Sequence, residues 1–283
     1  MYEKILVPLD GSKLAEVALP YAEELAGRLG SEITLLSVSE SSGAQEYHKH
    51  QVYLGKIIEA TRRSAEKYRE QPEGKEVKAE LEVLVGHPAE KILSYADKKD
   101  IGLIIMATHG HTGIRRWALG SVADKIVRAS KRPVALIRAK GSRSHMRRKG
   151  ILHKALVTLD GSRASEAIIP YIKELARKLN VEITLLQVVP EPRQDSEDAE
   201  SYLEKTASLL KSEGITVNYY MKAGAADDEI IRFADEAGID MIAMSTHGWS
   251  GIRRWTLGSI ADRVLHAAHT PILLVRATGA RKK

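Results

Sequence analysis

Short, almost continuously apolar runs alternate along this chain with longer stretches in which apolar residues recur every three or four positions. ILVPL (5–9), ITLLSV (33–38), LIIM (103–106) and VALI (134–137) are of the first kind, the pattern of strands covered on both faces. Between the first two, Ala15, Ala18, Ala22, Leu25, Ala26 and Leu29 form the stripe of a helix laid on a sheet. Strand followed by helix, repeated, predicts right-handed crossovers and a parallel sheet.

The pattern is written twice. KILVPLDGS (4–12) returns as KALVTLDGS (154–162), EITLLSV (32–38) as EITLLQV (182–188), and PVALIRA (133–139) as PILLVRA (271–277). The helical stripe returns as Ile168, Ile172, Leu175 and Leu179. THGHTGIRRWALGS (108–121) returns as THGWSGIRRWTLGS (246–259), differing only at His111/Trp249, Thr112/Ser250 and Ala118/Thr256. Asp10 and Asp160 are 150 residues apart, but Gly110 and Gly248 only 138. The 12-residue difference falls between the second and third strands. Copies this long are domains rather than solenoid units. The expected organisation is one domain over 1–140, a basic linker over 141–149 and a second domain over 150–283. Pairing of the closing strands PVALIRA and PILLVRA would remove an apolar edge from each.

Length and composition fit two ordinary globular domains: 283 residues, 43% hydrophobic and 28% charged. Cysteine is absent, which leaves no disulfide or thiolate metal site and agrees with a cytoplasmic location. The opening MYEKILVPLDGS has too short an apolar run for a signal peptide, and no stretch reaches the length of a membrane span, so no membrane partner is expected. The net charge of +6 is carried in part by KGSRSHMRRKG (140–150). With aromatics at 5%, stacking residues are scarce and nucleic acid is not expected as a partner.

In a parallel sheet, ligands sit beyond the carboxyl ends of the strands where strand order reverses. Three repeated features fall there: PLDGS/TLDGS, the strand ends at Val38 and Val188, and the long loops after LIIM and MIAM. Each long loop runs through Gly120-Ser121 or Gly258-Ser259 into a helix, whose free N–H groups and partial positive charge suit phosphate. Ser121 and Ser259 either cap that helix or donate to a phosphate oxygen. Asp10 and Asp160 either accept from ribose hydroxyls or close an Asp-Gly turn with Ser12 and Ser162 capping the next helix.

These residues resemble the universal stress protein family in a tandem two-domain form, over nearly the whole chain. The family's nucleotide motif is Gly, two residues, Gly, nine residues, Gly, then Ser or Thr. Here it reads Ala107-x2-Gly110-x9-Gly120-Ser121 and Ser245-x2-Gly248-x9-Gly258-Ser259, so the first glycine is replaced both times by another small residue. The resemblance implies two Rossmann-like α/β domains, each a doubly wound, parallel five-stranded sheet with helices on both faces. It also implies a stress-response protein whose partner is an adenine nucleotide. ATP, with or without Mg²⁺, would be the cofactor. In the first copy the site residues would be Pro8, Leu9, Asp10, Val38, Met106, Ala107, His109, Gly110, Gly120, Ser121 and Val122. In the second they would be Thr158, Leu159, Asp160, Val188, Met244, Ser245, His247, Gly248, Gly258, Ser259 and Ile260. Thr158 stands where the first copy has Pro8. The two domains would form an intramolecular pseudo-dimer, and the resemblance leaves room for a homodimer.

Other candidates carry less. His109 and His247 lack a sequence-placed nucleophile, and a histidine bonding backbone or phosphate is the simpler reading. HGH (109–111) offers two metal ligands, but Trp249 replaces the second in the other copy, so no metal site is expected. Arg115-Arg116 and Arg253-Arg254 either meet phosphates or are solvated. Trp117 and Trp255 are expected to pack. Neither the P-loop motif nor G-x-G-x-x-G occurs, and no Walker lysine supports fast phosphoryl transfer. The leading reading is a nucleotide-dependent sensor or regulator without a catalytic residue. The alternatives are a slow ATPase or self-phosphorylating protein using Ser121 or Ser259, and a scaffold with empty sites.

Overall fold

A computed structural model describes residues 1–69, 76–109, 119–138, 150–190, 196–247 and 257–277. The chain divides into two compact units, Met1–Ser142 and Arg143–Lys283.

In the first unit the order is β1 (Lys4–Pro8), a 3-10 turn (Ala15–Ala18), α1 (Leu19–Leu29), β2 (Glu32–Ser39) and α2 (Ala44–Glu66). There follow β3 (Ala79–Val85), α3 (Pro88–Lys98), β4 (Leu103–Ala107), α4 (Ser121–Ala129) and β5 (Val134–Ile137). The strands lie in the order β3-β2-β1-β4-β5, with every pairing parallel. Val7 stands opposite Leu35 and Leu6 opposite Ile104. β1, β4 and β5 are buried from their second residue or earlier to the end, which is why their sequences read as unbroken apolar runs. β3, at the sheet's edge, buries only Val83 and carries Glu80 and Glu82 among its residues, so it shows no such run.

The apolar stripe 15–29 is not one helix. Ala15–Ala18 form the 3-10 turn, and the α-helix starts at Leu19 with Pro20 in its first turn, where a missing N–H does no harm. The stripe itself is real, since Ala15, Ala18, Ala22, Leu25 and Ala26 are all buried. α1 packs on α2, and α3 on α4. These are the two helix pairs of a doubly wound sheet whose crossovers leave β1 in opposite directions.

The second unit repeats this plan with β6 (Lys154–Leu159), a 3-10 turn (Ser165–Ile168), α5 (Ile169–Leu179), β7 (Glu182–Val189) and α6 (Ser196–Ser212). It continues through β8 (Val217–Ala223), α7 (Ala226–Glu236), β9 (Met241–Ser245), α8 (Ser259–Ala267) and β10 (Ile272–Val275). Its strands run β8-β7-β6-β9-β10, again all parallel. Ile168, Ile172, Leu175 and Leu179 are all buried. The 12-residue difference between the copies lies where expected. α2 has 23 residues and α6 has 17, with the rest in the connections around them.

Candidate functional site

In each unit the strand order reverses between the first and fourth strands, and a cavity opens at their carboxyl ends, as the topology requires. In the first unit it measures about 610 Å³ and is lined by Pro8, Leu9, Asp10, Val38, Met106, Ala107, His109, Gly120, Ser121 and Val122, among others. In the second it measures about 310 Å³ and is lined by Thr158, Leu159, Asp160, Val188, Met244, Ser245, His247, Gly258, Ser259 and Ile260, among others. Residues as far apart in sequence as Pro8 and Val122 thus line one cavity. Gly110 and Gly248 lie outside the described residues. So do His111, Trp249, Arg115-Arg116, Arg253-Arg254, Trp117, Trp255 and the basic linker 141–149.

The aspartates close turns. Oδ1 of Asp10 accepts from the backbone N–H of Ser12 at 3.0 Å and from its hydroxyl at 2.6 Å. The Ser12 hydroxyl oxygen accepts in turn from the N–H of Ala15 at 3.1 Å. Asp160, Ser162 and Ser165 repeat this at 3.0, 2.6 and 3.1 Å. Gly11 and Gly161 sit at φ 84° and 80°, in the left-handed region that glycine enters without strain. Each turn therefore holds its carboxylate rigidly at the cavity wall. From the 3-10 turn that follows, Glu16 accepts from the hydroxyl of Tyr53 at 3.3 Å, and Glu166 from Tyr202 at 3.1 Å. Burial, then the adjacent carboxylate, pushes both phenols well above their ordinary range. They stay neutral donors that pin α2 and α6 to the 3-10 turns.

At the opposite wall, Gly120 and Gly258 are the N-cap residues of α4 and α8, and among the described residues no side chain caps either helix. Ser121 and Ser259 are the first helical residues, so the capping alternative for their hydroxyls does not hold. The Gly120 N–H donates to the carbonyl of Thr108 at 2.8 Å, and Gly258 to Thr246 at 2.8 Å. These bonds fix each helix start against the strand end. Nδ1 of His109 lies 3.0 Å from the Thr108 hydroxyl, and that of His247 lies 2.9 Å from the Thr246 hydroxyl. The histidines are thus tied to the protein's own threonines. Ser245 accepts from the His247 N–H at 3.4 Å, a contact Ala107 has no side-chain oxygen to make.

Sequence reasoning missed the contribution of α2. Glu46 and His50 on that helix, with Glu40 and Ser41 before it, line the first cavity, whereas no described side chain of α6 lines the second. A polar, weakly periodic helix gives no sign in sequence of which turn will meet the sheet's end.

Among the described residues, no group of three or more histidine, aspartate or glutamate side chains could hold a metal ion, and no helix is long and apolar enough to cross a membrane. The universal stress protein family model matches residues 1–138 and 152–276. Universal stress protein Slr1230 of Synechocystis is 24% identical over 97% of this chain and all of its own length. Universal stress protein MJ0577 of Methanocaldococcus jannaschii is 29% identical over 50% of this chain and 98% of its own. The crystal structure of a universal stress protein from Archaeoglobus fulgidus superposes with a TM-score of 0.77 at 20% identity, covering 98% of this chain and 99% of the other. With the motif-bearing turns present twice and the family model matched twice, the chain belongs to the universal stress protein family, as a tandem of two such domains.

Proposed function

We propose that each unit binds one adenine nucleotide, ATP first, and that occupancy lets the chain act as a sensor or regulator in a stress response. The observation that carries this is the pairing, in each cavity, of an uncapped helix start behind Gly120-Ser121 or Gly258-Ser259 with an aspartate turn on the far side. Backbone N–H groups at a helix start favour phosphate, and an aspartate at a strand end favours ribose hydroxyls. Both cavities fall in the size range of small-ligand sites. Magnesium would enter on the phosphate oxygens, its usual mode at nucleotide sites.

The test is mass spectrometry of whatever nucleotide co-purifies with the chain, followed by calorimetric titration with ATP and with ATP plus Mg²⁺. Two equivalents bound per chain without turnover support the sensor reading. Steady ADP release that vanishes in a Ser121→Ala, Ser259→Ala double variant would establish the slow ATPase instead. No binding of any adenine nucleotide would leave the scaffold. The domain boundaries at 140 and 150 and the dimeric arrangements implied by the family belong to the same proposal, and sedimentation of the intact chain tests the latter.

A further inference from the structure

The two cavities end differently at the tips of β2 and β7. We propose that the first selects a base bearing an exocyclic amino group, read by His50, and that the second lacks this selectivity. The proposal rests on the nucleotide reading above. Ser37 donates its hydroxyl proton to the carbonyl oxygen of Leu9 at 2.7 Å, and its oxygen lies 2.7 Å from Nδ1 of His50. A hydroxyl has one proton. With that proton on the Leu9 bond, Nδ1 must be the donor to Ser37. In the neutral ring this is the Nδ1–H tautomer, whose Nε2 is an acceptor.

His50 lines the first cavity beside Glu40 and Glu46. The uncapped start of α4 lines the same cavity. A phosphate tail is drawn to the helix start and repelled by the two carboxylates. The nucleotide therefore lies with its base toward the end of β2 and the face of α2. Glu40 and Glu46 at that end are acceptors, and so is Nε2 of His50 in the Nδ1–H tautomer. The base edges of adenine offer ring nitrogens, which accept, and one donor group, the amino group. Only that group can meet this set.

Among the described residues, the second unit lacks the device. The matching Tyr53–Glu16 and Tyr202–Glu166 hydrogen bonds align α2 with α6 and place Ala199 at the position of His50. Gln187 replaces Ser37 and Pro190 replaces Glu40, while Asp195, which matches Glu46, lies outside the described residues. The wall there is built from Leu186, Val188, Ala226 and Ile230.

The probes are ATP and the triphosphate of purine riboside, which lacks only the amino group. They are titrated by calorimetry into the full chain carrying Ser259→Glu, whose carboxylate keeps phosphate out of the second site. The first site is expected to bind ATP about tenfold tighter than the analogue, the worth of one good hydrogen bond. His50→Ala should bring the two within about twofold. A merely structural role for His50 would weaken both triphosphates alike and keep the ratio. His50→Gln, which returns an acceptor oxygen near the Nε2 position, should restore part of the preference, and Ser37→Ala, which frees the tautomer, should lower it. With Ser121→Glu instead, the second site should show a ratio within about twofold. Equal affinities in the first site, or a tenfold ratio that survives His50→Ala, would overturn the inference and leave nucleotide binding standing. Failure of the chain to bind either triphosphate would overturn both.

Discussion

At the residue scale, Gly120 and Gly258 show how a motif can be kept for a reason other than ligand contact. Both sit at φ −61° and ψ 146°, a conformation open to any residue, so backbone freedom is not what selects glycine. A Cβ at Gly120 would lie 3.0 Å from the Thr108 carbonyl oxygen and 3.6 Å from the His109 Cα. At Gly258 it would lie 3.1 Å from the Thr246 oxygen and 3.7 Å from the His247 Cα. Both neighbours are backbone and cannot swing away. Gly120→Ala is therefore expected to lower stability by about 1–2 kcal/mol, within the usual range for overpacking, with a matching drop in the urea midpoint of the first unit. If the glycine served phosphate approach alone, the midpoint would stay put and only nucleotide affinity would fall. A glutamate at either glycine would confound the two effects, which makes the adjacent serines the better place to test binding.

At the scale of elements, the two copies solve one packing problem in two ways. Gly27 on α1 faces α2 so closely that a Cβ would stand 2.1 Å from the Ala65 carbonyl oxygen and 2.8 Å from the Tyr68 Cβ. The matching residue of α5 is Arg177, so α5 and α6 cannot share that approach. Helix propensity says that Gly27→Ala should stabilise α1 by about 1 kcal/mol. The clash is with backbone and is far too short to absorb, so the sign reverses. Gly27→Ala should destabilise the first unit by about 2 kcal/mol or more, read as an earlier urea transition, while Arg177→Ala should change little. A rise in the midpoint for Gly27→Ala would show that α1 and α2 separate at little cost. The same comparison marks what sequence could reveal. Apolar runs announced the inner strands because both of their faces are covered. The edge strands β3 and β8 and the polar α2 left weaker marks, because half of each faces solvent. Most wall residues at strand ends or in the repeated loop were named from the sequence, but Thr108 and Thr246, which also line the cavities, were not. Nor were Glu46 and His50, since only the packing of α2 brings them to the cavity.

For the whole molecule, duplication raises the question of whether two sites act as two. The described residues that line each cavity belong to its own unit, between Pro8 and Ala123 or between Thr158 and Ala261. Ser121→Glu and Ser259→Glu separate folding from binding by sign. A carboxylate in the first turn of a helix stabilises that helix by about 0.3–1 kcal/mol, while its charge at the phosphate end of the cavity repels the nucleotide. Each variant should fold at least as well as the parent and bind one equivalent of ATP rather than two, and the double variant should bind none. Nucleotide at a hundred times its dissociation constant stabilises the unit that binds it by about 2.7 kcal/mol. In Ser121→Glu, ATP should therefore protect the second unit's amides from hydrogen exchange and leave the first unit's unchanged, with the reverse in Ser259→Glu. Retention of two equivalents by either variant would remove α4 or α8 from the phosphate end of its site. Loss of both equivalents from one substitution would mean that the two sites are coupled, and the chain would then report nucleotide as a single switch.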